Sequence, residues 1–308
     1  MQKKLTTKNI LTLFFTLVIS ESFGHDIKHV EPPFWWADFN HKELQLLVHG
    51  ENISQLEPKI SYKGVEIKKV HKVNSPNYLF LELLLKKNKP KKFTINFYKN
   101  KKIILKYDYE ILKRKKRAKN RETLSSSDVI YLITPDRYAN GDKQNDEVNS
   151  LLEKHDRANK DGRHGGDIQG IINNLDYIEE MGFTQIWLNP VLENDQASYS
   201  YHGYSTTDYY NIDKRFGSNK LYLELSRLAK KRGLGLIKDL ILNHIGSGHW
   251  WMDDLPTNDW LNYQDKYVQT NHIHETVYDP HLPKSQKNLF TEGWFVETMP
   301  DLNQKNPF

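Results

Sequence analysis

Between residues 25 and 111, apolar and polar side chains alternate with a period of two. Leu44, Leu46 and Val48 alternate with Gln45, Leu47 and His49, while Leu79, Leu81, Leu83 and Leu85 share one face opposite Tyr78, Phe80 and Glu82. Phe93, Ile95 and Phe97 repeat the pattern, as do Ile103, Leu105, Tyr107 and Tyr109 after a polar turn at Asn100. Successive side chains of a strand point to opposite faces, so this spacing predicts short strands in an all-β, immunoglobulin-like sandwich. The cluster Pro32-Pro33-Phe34-Trp35-Trp36 opens the region. It reads as an aromatic edge packed on the sandwich or on a neighbouring domain, with a sugar-stacking platform as the sharper alternative.

From Asp128 the pattern switches to alternating strand and helix. Residues 129–133, 186–188 and 236–242 read as three strands, the last with Asp239 inside it. Ile171, Ile172, Leu175, Ile178 and Met181 predict one helix stopped by Gly182, and Leu221, Leu225, Leu228 and Ala229 a second stopped by Gly233. This order demands right-handed crossovers and a parallel sheet, either doubly wound or a (β/α)8 barrel. Polar residues follow each strand: Asp136-Arg137-Tyr138, then Asn189-Pro190, then Asn243-His244. That clustering at carboxyl ends is where barrels place their chemistry, although each residue singly also fits a helix cap or a buried hydrogen-bonded group. Residues 245–308 lose the periodicity and are rich in Trp, Asn, Asp, His and Pro, as in a long functional insertion. Three units at about 40 residues each imply roughly 300 for eight, more than the 181 residues available from Asp128 onward.

Charge and composition refine this picture. The net charge of +5 is local, because seven positives and no acid lie between Lys113 and Arg121. Within residues 112–127 that run reads as a solvated linker or strand end; no aromatic residues interleave the charges, so no nucleic-acid partner is expected. The absence of cysteine excludes disulfides, thiolate zinc, iron–sulfur clusters and a cysteine nucleophile. Lys3, Lys4 and Lys8 precede an apolar run from Ile10 to Ile19, followed by Ser22-Phe23-Gly24. Residues 1–24 therefore read as a secretory signal peptide, too short to span a bilayer, and the mature chain as exported, periplasmic or extracellular, without a membrane span.

Four motifs carry a resemblance. Asp239-Leu240-Ile241-Leu242-Asn243-His244 resembles the first signature of the α-amylase superfamily, glycoside hydrolase family 13, on its third barrel strand. Tyr201-His202-Gly203-Tyr204 followed by Asp208-Tyr209-Tyr210-Asn211-Ile212-Asp213 and Phe216-Gly217 is similar to the loop after the second strand. Met299-Pro300-Asp301-Leu302-Asn303 resembles the signature near the end of inserted domain B. Glu31-Pro32-Pro33-Phe34-Trp35-Trp36, the sandwich and Pro135-Asp136-Arg137-Tyr138-Ala139-Asn140-Gly141-Asp142 together are similar to the neopullulanase/cyclomaltodextrinase branch, especially exported starch-utilisation amylases.

The resemblance implies a β-sandwich followed by the first part of a (β/α)8 barrel over 128–244 and domain B over 245–308. It implies a retaining hydrolase of starch, maltooligosaccharide, cyclodextrin or pullulan, and homodimerisation through the N-terminal domain. In the family the nucleophilic Asp, acid Glu and third Asp follow the fourth, fifth and seventh strands. None is expected among these 308 residues, which are therefore expected to be inactive alone. The alternative is a non-catalytic glucan-binding protein or a defunct fragment. The implied substrate-facing residues are Tyr204, stacking on a sugar; His202, supporting it; His244, bonding a hydroxyl; and Asn243, tying the third strand to domain B. Asp239 would hold the strand-end network. Trp250, Trp251 and Trp260 serve either as glucose platforms or as packing, and His272, His274 and His281 read as loop histidines before zinc ligands. Asn140, Asp142, Asn145 and Asp146 place four oxygen side chains in one loop, which alone reads as an Asx-rich turn. Its match to the branch's calcium loop, with Gly165 and Asp167, implies a Ca²⁺ site.

Overall fold

The computed structural model describes residues 26–87, 89–114 and 124–308. The signal-peptide reading of residues 1–24 and most of the basic run lie outside the described residues. Eight strands build the N-terminal unit: β1 (His29–Glu31), β2 (Trp35–Trp36), β3 (Glu43–His49), β4 (Glu57–Ile60), β5 (Val65–Lys72), β6 (Tyr78–Leu85), β7 (Lys91–Lys99) and β8 (Lys102–Leu112). They form two four-stranded sheets, ordered β1-β3-β6-β5 and β2-β8-β7-β4. The period-two residues do what their spacing demands: Leu44, Leu46, Val48, Leu79, Leu81, Leu83, Leu85, Phe93, Ile95, Phe97 and Tyr109 all enter one shared core. Trp35 packs against that core, whereas Phe34 and Trp36 meet edge to face and stay partly exposed.

The opposite face of the first sheet departs from the half-exposed pattern. Leu47, Tyr78 and Phe80 are buried there beneath Ile245, Trp260, Leu261 and Trp294 of the C-terminal region, so β3 and β6 are covered on both sides. Trp250, Trp251 and Trp260 pack around the same cluster.

The second unit contains β9 (Ile130–Ile133), α1 (Pro135–Tyr138), α2 (Ile168–Asn173), α3 (Leu175–Glu180) and β10 (Gln185–Leu188). β11 (Leu192–Glu193), β12 (Asp208–Ile212), α4 (Asn219–Lys231) and β13 (Gly235–Lys238) follow, and α5 (Lys284–Glu292) lies in the C-terminal region. β9, β10 and β13 make a parallel sheet with β10 in the centre. Ile133, Ile186 and Leu188 face α2, α3 and α4, whose Ile171, Leu175, Ile178, Leu225 and Ala229 complete the core.

Three expectations are corrected. The single helix over 171–181 is two, because Asn174 breaks it: its side-chain Nδ2 donates to the Gly170 carbonyl at 2.7 Å, and its backbone leaves the helical region. Met181 is consequently exposed. The third strand ends at Lys238 rather than Leu242, since its partner β10 stops at Leu188 and Asn189-Pro190 turns away. Asp239 therefore follows the strand instead of lying within it. The aperiodic region from 245 holds the unpredicted helix α5 and two single-turn helices, Trp250–Asp253 and His274–Val277.

Candidate active site

The carboxyl ends of β10 and β13 bring His202, Tyr204, Asp239 and His244 together. Gly203 sets the local geometry: its φ of +81° is a left-handed conformation, and a Cβ there would meet the Pro190 carbonyl at 2.0 Å. The chain can thus turn tightly and present Tyr204. The backbone N–H of Tyr204 donates to His202 Nδ1 at 2.9 Å, its carbonyl accepts from His244 Nε2 at 2.9 Å, and its hydroxyl reaches Asp239 Oδ2 at 3.3 Å. Trp187 Nε1 donates to the same carboxylate oxygen at 3.3 Å. The Tyr204 ring is therefore held at both ends while remaining partly exposed.

Burial dominates the electrostatics. It drives the His202 pKa down to about 4, with the neighbouring His244 adding to the effect. Burial also lowers His244, partly opposed by its bond to the Tyr204 carbonyl. Both imidazoles are neutral at pH 7, and with its Nδ1 accepting, His202 carries its proton on Nε2. Burial and the adjacent Asp239 raise the Tyr204 hydroxyl, keeping it a donor.

Asn243 does not join this wall. Its Nδ2 donates to Asp301 Oδ1 at 2.6 Å, while Asn262 Nδ2 donates to Asp301 Oδ2 at 2.8 Å. Two backbone bonds, Ile245 N–H to Pro300 and Leu302 N–H to Asn243, complete the tie. Asn243 is thus the strand-to-domain joint, with Asp301 as its acceptor.

Behind the site lies a buried ionic group that the motifs only touched. Arg215 grips Asp213 through Nε at 2.9 Å and Nη2 at 2.7 Å, and both side chains are almost fully buried. Burial alone would raise Asp213, but the Arg215 hydrogen bonds and the charges of Arg163 and Arg215 lower it. Arg163 donates to Ser200 Oγ and lies over the Phe216 ring, fixing the start of the Tyr204 turn. Asp213 was visible inside a motif. Arg163 gave no periodic signal because its partner Ser200 comes from another loop, and Arg215, two residues from Asp213, lies between elements.

The oxygen-rich loop over 140–146 packs against the start of α2. Asp167 caps that helix, accepting from Gly170 and Gly141 on Oδ1 and from Asp142 and Asn145 on Oδ2. Four donors make it the organiser of the loop. The Asn140 and Asn145 Oδ1 atoms are buried without a hydrogen-bond partner, and Asp146 lies beside Asn140. Gly165, at φ +84°, closes the cradle, and a Cβ there would stand 2.7 Å from Asn140 Nδ2 and Asp146 Oδ1. Two orphaned amide oxygens, with the Asp146 carboxylate beside Asn140, are hard oxygen donors of the kind Ca²⁺ takes, six to eight at a time. His272, His274 and His281 form no comparable set, and no cluster of three His, Cys, Asp or Glu metal ligands occurs among the described residues. No helix among them is long and apolar enough to cross a membrane.

Comparison with known proteins gives the chain's family. Residues 132–308 match the α-amylase catalytic domain, and residues 29–115 the cyclomaltodextrinase N-terminal domain. A beta/alpha-amylase of Paenibacillus polymyxa is 36% identical over 188 residues, covering 59% of this chain and 14% of its own length. A cyclomaltodextrinase of Thermoanaerobacter pseudethanolicus is 35% identical over 183 residues, covering 59% of this chain and 30% of its own. The crystal structure of an Anoxybacillus α-amylase aligns with a TM-score of 0.48 and 34% identity, over 58% of this chain and 35% of that one. The chain thus spans less than a third of the length of these two curated relatives. With its β9-β10-β13 sheet as the opening of the barrel and a cyclomaltodextrinase-type sandwich ahead of it, the chain belongs to the α-amylase family of glycoside hydrolase family 13.

Proposed function

We propose that these residues form the substrate-facing half of a retaining α-glucan hydrolase site, acting on starch, maltooligosaccharide, cyclodextrin or pullulan. The observation that carries this reading is the anchored Tyr204 ring, with neutral His202 and His244 beside it and Asp239 at its hydroxyl. A sugar ring stacks its C–H face on such an aromatic, while neutral His202, its Nδ1 engaged by the Tyr204 N–H, donates from Nε2 to a sugar hydroxyl and His244 holds the Tyr204 carbonyl. Binding contacts that strengthen as the ring flattens would favour the transition state over the ground state. Asn243 and Asp301 hold the strand end and domain B in register behind this wall.

Glycosidic cleavage also requires a protonated acid and a nucleophilic carboxylate about 5–5.5 Å apart in a retaining enzyme. Asp239 and Asp301 are engaged as hydrogen-bond acceptors in the framework, and neither takes those roles. The 308 residues alone therefore bind and orient glucan without cleaving it. Asn140, Asp142, Asn145, Asp146 and Gly165 would hold Ca²⁺, braced by Asp167; the ion would stiffen the loop and take no part in bond cleavage. Export to the periplasm or beyond and pairing of two copies through the sandwich complete the proposal. The test is reducing-sugar release from maltooligosaccharides by the 308-residue chain. No release above background is expected, whereas sustained turnover would make Asp239 or Asp301 catalytic and overturn the assignment.

A further inference from the structure

The sandwich grips one residue of domain B from several sides. Ser75 Oγ donates to Asp254 Oδ1 at 2.9 Å, Asn77 Nδ2 to Oδ2 at 2.8 Å, and His49 Nε2 to Oδ2 at 3.1 Å. The Tyr78 hydroxyl donates to the Asp254 backbone carbonyl. The turn between β5 and β6 adds two more bonds, from Ser75 N–H to the Pro256 carbonyl and from Asn258 N–H to Asn74 Oδ1. A carboxylate collecting three side-chain donors makes stronger, more directional bonds than a neutral acceptor would.

The gripped arm runs straight to the candidate site. Trp260 packs on Phe80, and its carbonyl accepts from Asn303 N–H at 3.0 Å. Asn262 N–H donates to the Asp301 carbonyl, and its side chain to the Asp301 carboxylate. Asp301 in turn holds Asn243, next to His244, whose Nε2 bonds the Tyr204 carbonyl. A continuous set of packed and hydrogen-bonded groups therefore connects the β5–β6 turn to the Tyr204 wall.

We infer that Asp254 is a positioning residue through which the sandwich fixes the arm over 254–262, and with it the Asp301–Asn243–His244 joint. The N-terminal domain is then a brace for the sugar wall. The inference rests on the glucan reading only in its sugar-binding readout.

Asp254→Asn in the 308-residue chain removes the charge and leaves one oxygen, so either Asn77 and His49 or Ser75 then faces an N–H in place of an oxygen. Pairing it with Asn77→Asp reverses donor and acceptor and restores the bond between positions 77 and 254, while Ser75 keeps an oxygen to donate to. His49 can accept on Nε2 after a tautomer change, because its Nδ1 has no partner to lose. Amide hydrogen exchange, read by mass spectrometry, follows peptides containing Ile245, Leu302 and Asn303. The single variant is expected to speed their exchange at least tenfold and to weaken maltotetraose binding several-fold. Exchange in the sandwich core around Leu81 should not change, and the double variant should return both readouts toward wild type. Should Asp254→Asn fail to fold, Ser75→Ala removes one donor and should give a smaller change in the same peptides. Faster exchange confined to the 74–77 turn, or no recovery in the double variant, would overturn the inference. If the wild-type chain binds no sugar, the glucan reading fails, and the exchange data still decide the role of Asp254.

Discussion

His249 makes the fold sensitive to acid. Only 4% of it is exposed; it packs edge-on to Trp251 and Tyr209, and its Nδ1 accepts from the Trp251 N–H at 3.2 Å. Burial drives its pKa from 6.5 down to about 4, with the Asp208 charge opposing and His29 adding to the shift. Between those values the unfolded chain takes up a proton that the folded chain refuses, so stability falls as pH falls and is flat above about pH 7. At about 1.4 kcal/mol per unit, His249 alone should remove roughly 2 kcal/mol by pH 5 and about 3 kcal/mol by pH 4. The perturbation is His249→Gln, which retains polar atoms and does not titrate. Urea unfolding followed by tryptophan fluorescence at pH 7 and pH 5 reads the seam directly, since Trp250 and Trp251 flank this residue. Lost packing should leave the variant less stable at pH 7, and the gap from wild type should close by about 2 kcal/mol at pH 5. Parallel stability–pH curves would refute the reasoning.

Glu31 should behave oppositely: burial raises its pKa to about 7, Trp250 hydrogen bonding opposes this and Asp208 adds to it, so stability is lost as pH rises from 4.5 to 7. Glu31→Gln should accordingly raise Tm at pH 8 and leave it nearly unchanged at pH 4, as differential scanning fluorimetry would show. Calcium at a hundred times its Kd should stabilise the chain by about 2.7 kcal/mol, and Asp142→Ala should abolish that response in a calcium-dependent melt. Gly165→Ala should cost about 1–2 kcal/mol from its left-handed backbone and also weaken the calcium response, because its Cβ would press on Asn140 and Asp146.

The strands of the sandwich were legible because a half-buried sheet writes its two faces into alternate residues. That same logic missed the burial of Leu47, Tyr78 and Phe80, whose cover comes from residues 245–308, far away in sequence. The Asp254 grip was invisible for the same reason, its partners Ser75 and Asn77 lying 179 and 177 residues away. Helix periodicity ran unbroken across Asn174, where a local side-chain bond to a backbone carbonyl ended one helix and began another. The length of the third strand depended on where β10 stops, a property of the partner rather than of residues 239–242. His202, Tyr204 and His244 were found through motif resemblance, and the structure joins them; Asn243 came from the same motif and belongs to the Asp301 tie.

The most direct test of the proposed half-site is calorimetric titration of the 308-residue chain with maltotetraose at pH 7, beside Tyr204→Ala. The account predicts measurable binding by the wild-type chain and at least a tenfold weaker Kd in the variant, equivalent to about 1.4 kcal/mol. Equal affinity in the two proteins, or no binding by a wild-type chain shown to be folded, would contradict it.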